Sequence, residues 1–238
     1  MFMLFCLWLP CSLMAQSLVV GVERLQYQPY YYVVDDEYQG FARELLDMFA
    51  HVSGHEFKYR ILPVKRLYDE FFHEEIDLKF PDNPHWQPDK RKDMDISYSD
   101  PVVEFADGLM VLSTREAGNL KDIKTIGKVS GFTPWPYLKA IEKKDIVLSE
   151  HYSIKGIIKQ VIHKRIDGAY FNEKVARYQL DNLMGKSGVL RFDADLPHLK
   201  GHYFLSTSKH PKVIVQFNKF LKKYKSEINE LKAKFDLN

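Results

Sequence analysis

Short apolar runs alternate along this chain with stretches whose apolar positions recur every three or four residues. Leu18-Val19-Val20-Gly21-Val22 is a continuous apolar run of the kind that forms a buried strand. After a loop of Tyr and Pro, Phe41, Leu45, Met48, Phe49 and Val52 fall on one side of a helix opened by Gly40, and Gly54 stands where a helix C-cap is favoured. Phe57, Tyr59 and Ile61 alternate as in a strand, Leu67 and Phe71 mark a second helix, and Ile76 to Phe80 a third strand. This β-α-β-α-β order predicts an α/β fold with a mainly parallel sheet, helices on its faces and ligands outside the carboxyl ends of the strands.

A second series follows Val111 and Leu112. Thr125 to Val129 is strand-like, Gly131-Phe132-Thr133-Pro134 is a turn, and Pro134 to Ile141 can start a helix. Ile154, Ile157, Ile158, Val161 and Ile162 make an apolar helical stripe, Gly168 to Phe171 a short strand, and Val175 to Leu183 another helix. Gly201 to Ser206 is a returning strand. From Val213, the positions Phe217, Phe220, Leu221, Tyr224, Ile228, Leu231 and Phe235 keep a helical period to the end. Two lobes are implied: 18–110, then 111–204, with 205–238 returning to the first.

The segment Met1 to Met14 is apolar and ends in Ala15, Gln16 and Ser17, the pattern of an export signal cleaved after Ala15 or Ser17, with a retained anchor as the alternative. A spanning helix needs about 20 apolar residues, so removal of residues 1–17 is expected to leave a protein of the periplasm. Cys6 and Cys11 both lie in that segment, and the mature chain has no thiol for a disulfide or a nucleophile. Lipid attachment at Cys11 would be preceded by a small residue, whereas Trp8-Leu9-Pro10 stands there. The formal charge of +2, with both signs interspersed, speaks against nucleic acid as a partner.

Several short motifs, taken in order, carry a resemblance. They are Val20-Gly21-Val22 with the following Tyr27-Gln28-Pro29-Tyr30-Tyr31, Gln39-Gly40-Phe41 with Glu44-Leu45-Leu46, and Ile76-Asp77. Ile96-Ser97-Tyr98-Ser99-Asp100-Pro101, Gly127-Lys128-Val129-Ser130-Gly131 and Ile166-Asp167-Gly168-Ala169 continue the series. In this order they resemble the bacterial extracellular solute-binding proteins of family 3, over nearly the whole mature chain. The resemblance implies a periplasmic binding protein-like type II fold: two α/β lobes with a ligand cleft between them, joined by two crossing strands near Leu109 to Leu112 and Tyr203 to Ser206. It also implies capture of an amino-acid-like or other charged solute, a monomer, and an inner-membrane ABC permease or a sensor as partner. In that family an Arg grips the ligand carboxylate after a Thr-x-x-Arg step. Here the region is Asp89-Lys90-Arg91-Lys92; the Thr is absent, spacing from Tyr98 points to Lys92, and Arg91 requires a shift of one residue. The family's ammonium-binding Asp is replaced by Asn172 or displaced to Glu173.

The residues offer further candidates. Tyr30 and Tyr31 follow the first strand, where their rings either close over a ligand or pack half-buried. Arg66, beside Lys65 after Pro63, is either a cleft cation for an anionic group or a surface charge at a helix start. Phe80-Pro81-Asp82-Asn83-Pro84-His85-Trp86 joins a stiffened loop to polar groups and an aromatic face, making Asp82, Asn83 and Trp86 candidates. Thr133 either presents its hydroxyl to an anion or caps a helix, and Trp135 is a lid or core. The nine His residues are scattered, and neither a metal-ligand motif nor a nucleophile or phosphate-loop motif is present. Asp35-Asp36-Glu37 fits a solvated turn between Val34 and Tyr38. A binding protein with no cofactor or metal is therefore expected. The alternatives are a sensory binding protein without a transporter, or an eliminating enzyme on the same fold, similar to cyclohexadienyl dehydratases, which would need Glu23 or Glu173 as its acid or base.

Overall fold

The computed structural model describes residues 17–238. Residues 1–16, with both cysteines and all but the last residue of the expected signal, lie outside them. Among the described residues no helix is long and apolar enough to cross a membrane.

The first lobe opens with β1 (Ser17–Glu23), a hairpin of β2 (Tyr32–Val34) and β3 (Glu37–Gln39), and α1 (Phe41–Ser53). The hairpin turn is Asp35-Asp36, both at positive φ of 50° and 60°, as a two-residue connection between twisted strands requires. Helix α1 ends at Gly54, whose φ of 73° only glycine adopts without strain. β4 (Glu56–Leu62), α2 (Val64–Phe72) and β5 (Leu78–Asp82) follow. β1 lies between β4 and β5 and is parallel to both. Gly21 is needed here: a Cβ on it would stand 2.3 Å from Ile76 Cδ1 and 2.6 Å from Leu67 Cδ1. Asp77 ties the same layer, its Oδ2 accepting from Val19 N at 2.8 Å.

After α3 (Pro88–Arg91) and β6 (Ser97–Tyr98), the long strand β7 (Val103–Leu112) leads into the second lobe. There β8 (Thr125–Val129), α4 (Leu138–Glu142), β9 (Val147–His151), α5 (Ile154–Ile162), β10 (Gly168–Asn172) and α6 (Glu173–Tyr178) repeat the design. β8 is parallel to β9 and β10, and Asp167 Oδ2 accepts from Lys124 N and Thr125 N, as Asp77 does from β1. β11 (Leu190–Phe192) and β12 (Leu199–Thr207) precede α7 (Pro211–Lys223) and α8 (Lys225–Lys234).

One sheet runs through both lobes in the order β4-β1-β5-β12-β7-β10-β8-β9. β7 and β12 are its antiparallel crossing pair, with Val103 to Asp107 against Leu199 to Tyr203. Their ladder lies earlier in both strands than the crossing expected at Leu109 to Leu112 and Tyr203 to Ser206, because β11 takes the edge of β7 at Met110 to Leu112 and β12 pairs with β5 and β6 beyond Tyr203. The helix expected from Pro134 is split: a 3-10 turn, Trp135–Tyr137, precedes α4, since Pro136 disfavours a helical Trp135. The single helical period from Val213 is also divided, at Tyr224, which closes α7 and opens α8. Phe217 and Phe220 pack on Phe49 of α1, with ring centroids 4.9 and 5.4 Å away, and the bend turns Ile228 and Leu231 into the same core. Each fully buried side chain of this kind contributes about 1.5–3 kcal/mol.

Candidate functional site

The carboxyl ends of β1, β5 and β8 converge on one cavity between the lobes, as the alternation of strands and helices predicts. It holds about 510 Å³ of atom-free space including its mouth. The first lobe supplies Glu23, Tyr27, Tyr31, Val64 and Tyr68, then Pro81 of β5 and, after that strand, Trp86 and Gln87. The second supplies Gly131, Phe132, Thr133 and Trp135, and the crossing strands supply Asp107 and Tyr203. The walls are therefore mostly aromatic, with two carboxylates and, among the described residues, no Lys or Arg at the surface of the cavity.

The lobes touch. Gly131 approaches α2 so closely that a Cβ would lie 2.8 Å from Val64 Cγ1, and its φ is +94°. Tyr27 meets Phe132 edge to face at 5.8 Å, and Lys65 Nζ donates to Glu150 Oε2 at 3.1 Å. Lys128 and Ser130 also hold Glu150, and these three donors bring its carboxyl down to about 2. Gln179 Nε2 donates to Gln26 O at 2.9 Å. These contacts describe a closed cleft.

Of the residues singled out from the sequence, Tyr31, Trp86, Thr133 and Trp135 line the cavity. Tyr31 donates its hydroxyl to Glu23 Oε2 and stacks on Tyr27 at 5.1 Å. Thr133 caps no helix: the turn after it has no side-chain cap. Tyr30 is buried beside the cavity as a tie across the lobes, its hydroxyl donating to Glu104 O at 2.9 Å and accepting from Asn172 Nδ2 at 3.4 Å. Asn172 is the N-cap of α6, its Oδ1 accepting from Val175 N. Asn83 braces β12 through Nδ2 to His202 O. Arg66 points to solvent and pairs with Glu70 at 2.8 Å, one helical turn on. Glu173 pairs with Arg177 and takes no part in the cavity.

Arg91, not Lys92, turns inward, but it is consumed there. Its Nη2 and Nη1 donate to Asp82 Oδ1 and Oδ2 at 2.8 and 3.1 Å, Nη1 also to Tyr98 OH, and Nε to Trp86 O. Lys92 is an exposed partner of Asp89. Asp82 lies beneath the cavity and also accepts from Ser206 and from Lys79, whose Nζ is 3.1 Å away. Burial pushes the Asp82 carboxyl up, but Lys79 and Arg91 outweigh it and hold the group below its ordinary value.

Lys79 and Asp107 were not singled out. Lys79 is fully buried, and its ammonium lies 4.5 Å from the centre of the Tyr68 ring and 5.6 Å from that of Trp86. Burial moves it down from its ordinary value against the pull of Asp82 and Glu23. Glu23 is raised by burial, opposed by Lys79 and the Tyr31 hydroxyl. Asp107 is 7 % exposed, and its Oδ1 has no hydrogen-bond partner. Burial pushes its carboxyl up to about 7, a rise that Asn172 opposes and Glu23 reinforces. The sequence signal was a charge inside an apolar strand: Lys79 between Leu78 and Phe80, and Asp107 in Val103 to Leu112.

No protein-family model matches the chain, and no curated protein does either. Solved structures do match. The arginine-, lysine-, histidine-binding protein ArtJ of Geobacillus stearothermophilus is 18% identical, with a TM-score of 0.73 over 92% of this chain and 95% of that one. The amino acid ABC transporter substrate-binding protein AbpA of Streptococcus pneumoniae, bound to L-arginine, is 21% identical with a TM-score of 0.70 over 90% and 92%. A histidine kinase sensor domain with similarity to periplasmic binding proteins is 14% identical, with a TM-score of 0.75 over 93% and 96%. The chain has the type II periplasmic binding-protein fold, two α/β lobes joined by crossing strands and closed on a cleft.

Proposed function

We propose that this protein captures a small polar solute by closing its lobes on it and releases the solute unchanged. The observation that carries this reading is the cavity itself: aromatic and carboxylate side chains from both lobes and from the crossing strands enclose one space, with further lobe-to-lobe contacts around it. A ligand bound between lobes favours the closed state by its differential affinity. The likeness to transporter-linked binding proteins supports delivery to a membrane permease from the periplasm by a monomer, with residues 1–17 as the export signal. The sensor-domain neighbour supports a second reading in which the same closure is a signal.

Capture without chemistry rests on the state of Glu23. It is the carboxylate of the eliminating-enzyme alternative that reaches the cavity, and it is bound to the Tyr31 hydroxyl and faces Lys79. The test is thermal unfolding and Trp fluorescence against amino acids, amines, organic acids, peptides and sugars, since Trp86 and Trp135 line the cavity. A ligand at a hundredfold excess over its dissociation constant stabilises the native state by about 2.7 kcal/mol. Saturable stabilisation with the compound recovered intact supports capture; conversion of the bound compound, lost in Glu23→Gln, refutes it in favour of an enzyme.

A further inference from the structure

The buried charges at the cavity do not balance. Asp82 faces Arg91 and Lys79, and Glu23 faces Lys79, so two cations meet two carboxylates. Asp107 is a third carboxylate, and among the described residues no cation is paired with it. Its Oδ1, buried at the cavity wall, lacks a hydrogen bond, and burying such a group without a donor is costly unless a donor arrives with the ligand. The surrounding rings point the same way, because Tyr27, Tyr31, Phe132 and Tyr203 line the same small space, and aromatic walls favour a cation. The cations that sequence or burial would offer to a carboxylate are spent. Arg91 has its donors on Asp82, Tyr98 and Trp86, Lys79 donates to Asp82 and to Pro81 O, and Arg66 lies at the surface on Glu70.

Resting on the capture reading, we propose that the ligand is an organic cation with N–H donors and no carboxylate, a primary amine or guanidine, whose charged head donates to Asp107 and sits among these rings. Asp107 is the acceptor, and closure removes the water that would otherwise solvate the cation. The raised carboxyl of Asp107 agrees with this: the empty site is relieved by a proton, and an arriving ammonium displaces it.

Isothermal titration with agmatine, putrescine, tetramethylammonium, arginine, succinate and glucose tests the assignment. Agmatine is arginine without its carboxylate, and tetramethylammonium is a cation without N–H. Agmatine or putrescine should bind at least tenfold tighter than either counterpart, and Asp107→Asn, checked for folding by its melting curve, should weaken that binding at least thirtyfold. Wild-type titrations at pH 6 in buffers of different ionisation enthalpy supply a reading independent of any variant: amine binding should release a large fraction of one proton. Tighter binding of arginine, succinate or glucose overturns the cation while leaving capture standing. So does amine binding that Asp107→Asn leaves within threefold. Absence of saturable binding by every probe overturns both.

Discussion

Asp107 makes a stability prediction that needs no ligand. Its carboxyl stands at about 7 in the folded protein against 3.8 for the free group, so the folded state binds the proton more tightly than the unfolded chain. Between those values the native state holds more protons than the unfolded state, and stability therefore falls as pH rises through them. Of the groups facing Asp107, Glu23 from β1 is a like charge that reinforces the rise, the Tyr27, Tyr30, Tyr170 and Tyr203 hydroxyls are neutral, and Asn172 opposes it through an amide without outweighing burial. At about 1.36 kcal/mol per unit, the full effect is on the order of 4 kcal/mol above pH 8, of which about 3 kcal/mol develops between pH 5 and pH 8. Asp107→Asn keeps the shape and removes the charge. In ligand-free protein the variant should gain on the wild type by about 6–12 °C in melting temperature over that pH interval, taking roughly 2–4 °C per kcal/mol for a chain of this size. Melting curves by circular dichroism at half-unit pH steps measure it. Parallel curves for the two proteins would refute the reasoning, because they would mean that Asp107 reaches solvent or an unrecognised cation when charged.

Removing Arg91 with Arg91→Met should cost about 3–5 kcal/mol in denaturant unfolding, since it leaves Asp82 buried with one of its two cations gone. Arg66→Ala takes one of two cations from the buried Glu70 carboxylate, leaving Arg60 at 2.9 Å, and should cost about 1–3 kcal/mol in the same assay. Gly131→Ala places a methyl 2.8 Å from Val64 Cγ1 at a φ that disfavours it, so small-angle scattering should show a more open, larger molecule and Trp fluorescence a weaker ligand response. Gly21→Val must displace Ile76 and Leu67 and should lower stability by about 1–3 kcal/mol in a urea titration.

Much of the architecture follows from local pattern, because strand and helix periods and turn residues act over a few neighbours. The run at Leu18 to Val22, the stripe of α1 ending at Gly54, the Asp35-Asp36 turn and the apolar face of α5 are each specified by residues close in sequence. β9 and β11 escaped that reading: Val147 is exposed and β11 is three residues long, so neither carries a clear period.

The residue types of the cleft were partly readable for the same reason. A Tyr-rich loop after the first strand and Trp135 after the Gly131 turn had to stand near the strand ends, and Tyr31 and Trp135 do line the cavity. What only the tertiary structure decided is which charges are free. Arg91 and Lys92 are adjacent and chemically alike, yet one meets Asp82 in the interior and the other meets water. Arg66 stands at the surface, where its exposed guanidinium covers the buried Glu70 one turn along the helix. Asp107 was left without a paired cation among the described residues because β7 crosses between the lobes at that residue, setting it against Asn172 of β10 and Leu199 of β12. Secondary structure is largely a property of neighbours in sequence, whereas the balance of buried charge belongs to groups that folding alone brings together.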